Sequence, residues 1–170
     1  LFPEALSTLG NILTCLGKIE EAEKLIRKAI EIKPNYAEAY LNLSMIELLL
    51  GDYQNGLNHY EYRYKIMPIH SYPKIKQIDY LNIQKERKLL IVSEQGLGDT
   101  LQYMRYIPYL KSQGLDVSFC AQEKLHSLIQ ASGIDQNPLT LEQAETISEG
   151  HWSALLSLPR YLQVNPNNPI

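Results

Sequence analysis

The octet Ser93-Glu94-Gln95-Gly96-Leu97-Gly98-Asp99-Thr100 follows directly on the apolar run Leu89-Leu90-Ile91-Val92. This order predicts a strand, a glycine turn and a helix start. Two glycines one residue apart let the backbone turn sharply and approach a ligand, while Asp99 and Thr100 offer oxygens to cap the helix. Ligands of open α/β sheets bind at such strand ends. Phosphate chemistry fits poorly here. A phosphate-binding loop needs Lys followed by Ser or Thr, and Asp99-Thr100 puts an anion in the place of that Lys. A dinucleotide fingerprint needs a third glycine where Leu101 stands. Glu123 falls roughly where a ribose-binding acid would, but Asp99 would repel a pyrophosphate.

The elements that must position this loop alternate in type. Lys88–Val92 reads as a strand buried on both sides. Residues 100–112 read as a helix that Gly114 stops and Pro108 kinks, because proline withdraws the usual partner of the Met104 carbonyl. A second strand is expected over 115–121 and an amphipathic helix over 122–132, carrying Leu125, Leu128 and Ile129 and ending at Gly133. Residues 138–141 suit a short third strand. A fourth is expected over 154–156, leading into a helix at Ser157-Leu158-Pro159, with Ser at the cap and Pro in the first turn. Such a β-α-β succession builds a parallel, Rossmann-like sheet with helices on its faces. With about four strands the sheet would keep an open edge, so chain is expected beyond both ends.

Residues 3 to 68 follow a different rule. Leu9 and Leu43, Gly17 and Gly51, and Pro34 and Pro68 stand 34 positions apart, the period of a tetratricopeptide repeat. Leu6, Leu9, Gly10, Leu13, Gly17, Ala22, Ile26, Ala29 and Pro34 occupy the positions where that family places its large, small and helix-ending residues. Leu6, Leu9, Leu13 and Leu16 form one helical face, and Ala22, Ile26, Ala29 and Ile30 another. The second copy keeps Tyr40, Leu43, Ser44 and Gly51 but carries Gly56, Tyr60 and Arg63 further on, as a terminal repeat would. Its surface is rich in tyrosine, with Tyr60 and Tyr64 on one face at i,i+4 and Glu61 spaced to pair with Lys65. Tyr60 and Tyr64 are read as a docking surface for a partner or as a half-buried seam with the following domain. Two repeats fall below the roughly three that stability usually needs, so more are expected upstream.

Composition bounds these readings. The chain has 170 residues, 45% hydrophobic and 21% charged, within the range of ordinary globular protein. No apolar run approaches the roughly 20 residues of a membrane helix. The net charge of -3 divides into -2 over residues 1–68, +3 over 69–88 and -4 over 89–170. The basic residues Lys74, Lys76, Lys85, Arg87 and Lys88 are too few for a nucleic-acid footprint, and 69–87 reads as a solvated connector. The domains are therefore 1–68, two repeats, and 88–170, a partial α/β domain. Cys15 and Cys120 have no CxxC or His at metal-ligand spacing and read as reduced core residues, suited to a cytoplasmic protein. His59, His70, His126 and His151 form no cluster, and no metal site is expected.

The heptad Glu94-Gln95-Gly96-Leu97-Gly98-Asp99-Thr100, followed by Gln102, Arg105-Tyr106 and Pro108, resembles the first strand-loop-helix of bacterial tetratricopeptide-repeat proteins that carry a heptosyltransferase-like (GT-B) glycosyltransferase domain. Tyr60-Glu61-Tyr62-Arg63 and Ser157-Leu158-Pro159 resemble two further landmarks of that group. The resemblance covers nearly the whole chain and implies an α + α/β architecture of helical repeats followed by the first part of a Rossmann-like GT-B domain. It implies that Asp99, in Gly98-Asp99, is a general base on an acceptor hydroxyl, a role that needs a carboxylate within hydrogen-bond reach of the attacking oxygen. Ligand contact without proton transfer and helix capping remain alternative roles for Asp99. Glu94, Gln95, Gly96, Gly98 and Thr100 would line the acceptor side, with Glu94 and Gln95 either binding hydroxyls or bracing the loop, and Arg105 paired with Asp99 or Glu94. The donor would be a nucleotide-sugar, with no other cofactor, bound by a second half outside these residues, so this fragment alone is not expected to turn over. The repeats would bind a protein or glycan acceptor. Tyr80-Leu81-Asn82 stands where the group shows a Trp-containing segment, and Gly150-His151-Trp152 where it shows an Asp, which points to an altered acceptor side. The rival reading is a non-catalytic repeat module for protein interaction, joined to a degenerate α/β scaffold.

Overall fold

A computed structural model describes residues 2–67, 73–78, 83, 87–94 and 96–170. The chain divides into two compact units, Leu1–Pro68 and Ile69–Ile170.

The first unit is helical: α1 (Pro3–Cys15), α2 (Ile19–Ile32), α3 (Ala37–Leu49), α4 (Tyr53–Tyr60) and α5 (Arg63–Ile66). Proline at the start of α1 costs no hydrogen bond, since the first N–H groups of a helix have no partner within it. Gly17 (φ 76°) and Gly51 (φ 84°) end α1 and α3 in the left-handed conformation. Each is bracketed by the same pair of bonds. Gly17 N–H donates to Thr14 O and Lys18 N–H to Leu13 O, while Gly51 N–H donates to Leu48 O and Asp52 N–H to Glu47 O. This is the Schellman arrangement, and its recurrence after 34 positions is the structural content of the repeat. Leu6, Ala22, Ile26, Ala29, Ala39, Leu43 and Ile46 form the core. A Cβ on Gly10 would come within 2.5 Å of Ile26 Cγ1 and 3.2 Å of the Ala22 carbonyl, so a bare backbone is what lets α1 and α2 close up.

The expected Leu6–Leu9–Leu13–Leu16 face is only partly interior. Leu6 is buried and Leu13 packs against the core, but Leu9 and Leu16 are exposed. Cys15 is exposed as well, contrary to a core role, because it lies one turn beyond exposed Ile12 on the same side of α1. Two charged side chains of this unit, Glu47 and Arg63, are buried among the described residues. Glu47 is 3% exposed and is met by His59 Nδ1 at 2.7 Å and Arg27 Nη2 at 3.4 Å, the pairing a buried carboxylate requires.

The second unit is a four-stranded parallel sheet in the order β1-β4-β2-β3, with β1 Lys76–Gln77, β2 Lys88–Val92, β3 Asp116–Cys120 and β4 His151–Ala154. Leu89 stands opposite Val117 and His151, and Ile91 opposite Phe119 and Ser153. Leu89, Ile91, Val117 and Phe119 therefore face one side, where they pack with Tyr106, Ile107, Leu110, Ile129, Leu155 and Leu158. Leu90 and Val92 point the other way and are also buried, which explains the unbroken apolar run of β2.

Several elements differ from expectation. Residues 69–87 are more than a connector: Gln77 pairs with Trp152, Ile78 N–H donates to Trp152 O, and Ile78 and Ile83 enter the core. The segment Tyr80-Leu81-Asn82 lies outside the described residues. The helix over 100–112 begins earlier and is broken into α6 (Leu97–Tyr103) and α7 (Tyr106–Ser112). The break falls at Met104, four residues before Pro108, where the carbonyl deprived by proline takes the Ile107 N–H at 3.0 Å instead. The helix over 122–132 is a short 3₁₀ turn, Glu123–Leu125, continuing as α8 (His126–Ala131). The strand expected over 138–141 shrinks to one parallel bridge, Leu139 to Cys120. Thr140 is taken instead as the N-cap of α9 (Leu141–Glu145), in a reciprocal capping box with Gln143. After β4 the chain forms a 3₁₀ turn, Leu155–Ser157, and then α10 (Leu158–Tyr161). Ser157 precedes that helix but makes no side-chain capping bond.

Candidate functional site

The strand order marks a switch point. From β2 the chain adds β3 on one side and then crosses to add β4 on the other. The sheet thus reverses its direction of growth beside β2, and crevices for ligands open outside the carboxyl ends of strands at such a point. Three segments meet there: Ser93-Glu94 after β2, Ala121-Gln122 after β3, and Leu155–Ser157 after β4.

Hydrogen bonds tie the three together. Glu94 Oε2 accepts from the Leu156 N–H at 3.1 Å, and Ser93 N–H donates to Cys120 O at 2.8 Å. Gln122 Nε2 donates to the Glu94 carbonyl in a short bond, and Gln122 Oε1 lies 2.9 Å from Thr100 Oγ1. Thr100, 1% exposed, is also 3.0 Å from Gly96 O. Of the two uses expected for Glu94, bracing is therefore present in the fold. Gln95 lies outside the described residues.

Asp99 is not the helix cap. The helix starts two residues earlier, at Leu97, with extended Gly96 (φ -80°, ψ 121°) in the capping position and no side-chain capping bond. Asp99 sits in the first turn, exposed, and its carboxylate lies over the Gly96 Cα, where a Cβ would collide with it. Gly98 is exposed, and a Cβ there would meet nothing within 4 Å. The carboxylate and the bare backbone beside it are thus open to a ligand. The contacts of Arg105 among the described residues are with Tyr106: its Nη2 donates to Tyr106 OH at 3.2 Å and its guanidinium lies 5.1 Å from that ring centroid.

Cys120, at the end of β3, is buried, and loss of solvent pushes its thiol up to about 11. It is a protonated packing group at neutral pH. Among the described residues no three His, Cys, Asp or Glu side chains converge as metal ligands.

In the first unit, Tyr60 ends α4 and Tyr64 belongs to α5, so a turn at Glu61-Tyr62 separates them. They are brought together by Arg63, whose guanidinium lies 4.6 Å from the Tyr60 ring centroid and 4.4 Å from that of Tyr64. Arg63 is buried, donates to the Tyr60 carbonyl and pairs with Glu61 Oε1 at 2.6 Å. The expected Glu61–Lys65 spacing is thus used differently: Glu61 serves Arg63, and Lys65 lies over the Tyr62 ring.

Gln122 and Arg63 are the residues that sequence reasoning undervalued. Arg63 had a signal, since alternating Tyr60-Glu61-Tyr62-Arg63-Tyr64 sets a cation among rings and an acid. Gln122 had only its place at the carboxyl end of β3.

Residues 3–36 match the family model of the tetratricopeptide repeat. Over 40 residues the chain is 40% identical to the protein O-mannosyl-transferase Tmtc2 of Drosophila melanogaster, a stretch that is 24% of this chain and 4% of that protein. A tetratricopeptide repeat is therefore present, and such repeats suggest protein interaction. No helix among the described residues is long and apolar enough to cross a membrane.

Proposed function

We propose that this chain is part of a repeat-containing glycosyltransferase, in which the repeats bind a protein partner or acceptor and the α/β unit supplies the acceptor half of a GT-B-type sugar-transfer site. The observation that carries the reading is the exposed Asp99 carboxylate in the first helical turn after β2, not in the N-cap position and beside the open backbone of Gly98. In this reading Asp99 takes the proton of an acceptor hydroxyl as its oxygen attacks the anomeric carbon, and the nucleoside diphosphate leaves with the electron pair of the broken bond. Glu94, Gly96 and Thr100 shape the acceptor side, and the nucleotide-sugar comes from a donor half outside these residues. Similarity to a mannosyl-transferase over 40 residues is compatible with this reading, although the stretch is little longer than one repeat.

The test uses the whole gene product, a panel of UDP-, GDP- and ADP-sugars with glycan and peptide acceptors, and release of nucleoside diphosphate as readout. Asp99→Asn is expected to lower release at least about 100-fold while leaving Tm within a few degrees. Release that survives with only stability reduced rejects Asp99 as the base. A second reading, an interaction module with a degenerate α/β scaffold, is favoured by the match of residues 3–36 to a repeat that suggests protein interaction. It is supported if no sugar in the panel is consumed while the repeats retain a protein partner.

A further inference from the structure

The Gln122 carboxamide bridges the two ends of the glycine loop from a different strand. Its Nε2 faces the Glu94 carbonyl and its Oε1 faces the Thr100 hydroxyl. The orientation is dictated chemically: a backbone carbonyl only accepts, so the amide must turn its N–H₂ there, and its oxygen is left for the hydroxyl. Thr100 is one turn beyond Gly96 and lies within reach of the Gly96 carbonyl. Gly96 in turn carries the Asp99 carboxylate across its Cα. On the far side, Glu94 is anchored through its carboxylate to Leu156 after β4. One chain of contacts thus runs from β4 through Glu94, Gln122 and Thr100 to the turn that aims Asp99.

We propose that Gln122 is a positioning residue for the Asp99 carboxylate, acting through Glu94 and Thr100 and making no contact with the reacting atoms; this rests on the sugar-transfer reading above. A side chain acts this way when it fixes a backbone whose displacement by about 1 Å would cost on the order of 100-fold in rate. Gln122 suits the task because it is half-buried and bonds both segments at once, Glu94 through its amide N–H₂ and Thr100 through its amide oxygen. Its amide offers one donor and one acceptor to partners that need those two functions. A carboxylate at this position would set two acceptors against each other, and a thioether would satisfy neither partner.

The experiment compares Gln122→Met, Thr100→Val, Thr100→Ser and the Gln122→Met/Thr100→Val double variant with the parent. In the whole gene product, with the nucleotide-sugar panel, both single losses are expected to lower kcat about 10- to 100-fold with donor KM unchanged. Thr100→Ser, which keeps the hydroxyl, restores kcat, and the double variant is no worse than either single one, because each breaks the same bridge. The carboxyl ¹³C resonance of Asp99 in the 170-residue chain is expected to move in Gln122→Met and Thr100→Val and to return in Thr100→Ser. An unmoved Asp99 resonance, or single effects that multiply, overturns the proposal. If no sugar is transferred by the parent while the Asp99 resonance follows this pattern, the sugar reading fails and the positioning of Asp99 by Gln122 stands.

Discussion

The Asp99 carboxylate occupies the space that a side chain on Gly96 would need. Gly96 itself has ordinary extended dihedrals, so its glycine is not demanded by the backbone. What it provides is a seat for the acid. Gly96→Ala should therefore be tolerated by the fold, with stability lowered by less than about 1 kcal/mol, since a flexible side chain can rotate away at little cost. The same substitution should move the Asp99 carboxyl ¹³C resonance and remove whatever chemistry Asp99 performs. Thermal unfolding and that resonance, measured on one sample, separate the two effects; a large loss of Tm with an unmoved resonance would contradict the geometry.

Asp52 caps α4, accepting from the Asn55 side chain at 2.8 Å and from the Asn55 N–H at 3.2 Å. These two bonds, the side-chain one first, hold its carboxyl below the ordinary value. Asp52→Ala should cost about 1 kcal/mol of first-unit stability, reduced by screening because the group is exposed. A lowered carboxyl pKa means the folded state binds its proton less readily than the unfolded one. The stabilisation is thus present above the ordinary carboxylate value and lost as pH falls through the lowered one. Asp52→Asn keeps an acceptor oxygen and should show less of that acid-side loss. Helical ellipticity against temperature, at neutral pH and at about pH 3, measures both.

These two features differ in how far they could be read before folding. The cap follows from Gly51-Asp52 and a helical period, and the Schellman ends of α1 and α3 follow from two glycines 34 positions apart; both are local in sequence. Strand β2 was equally plain as an apolar run, and β3 as a short segment opening after Gly114. The site was legible only in its loop. Gln122 meets Glu94 across 28 positions and Leu156 meets it across 62, and no local period encodes such pairings. β1 escaped for a related reason: it is two residues long, lies in a basic stretch, and becomes a strand only because β4 offers an edge. Capping stood as one of three roles open to Asp99 because nothing local in Leu97-Gly98 shows that the helix starts two residues before it.

The two cysteines should separate cleanly by reactivity. Cys15 is exposed, whereas Cys120 is buried and its thiol is pushed up to about 11 by loss of solvent. Only the thiolate reacts with disulfide reagents. In native protein at neutral pH one equivalent should react, and Cys15→Ser should abolish it; the second equivalent should appear only on denaturation. The raised thiol pKa also makes stability fall as pH rises above the ordinary thiol value toward 11, because the unfolded state loses its proton first. Two fast equivalents in the native protein would show that the end of β3 opens to solvent.

Gly150 is held on its conformation and on space at once. Its φ is 89°, a region where a Cβ costs roughly 1–2 kcal/mol. A Cβ there would also come within 2.5 Å of the Lys88 carbonyl and 2.9 Å of Lys88 Cβ, at the start of β2. The obstacle is largely backbone, so it cannot rotate aside as Asp99 does from Gly96, and relieving it means shifting the first residue of β2 away from the turn that feeds β4. Gly150→Ala should therefore destabilise the second unit by about 2–5 kcal/mol, the sum of the dihedral strain and an overpacking term. Trp152, the chain's single tryptophan, is buried two residues later on β4, so its fluorescence in urea reports this unit directly. A midpoint unchanged from the parent would mean that the turn before β4 can relax without disturbing the sheet.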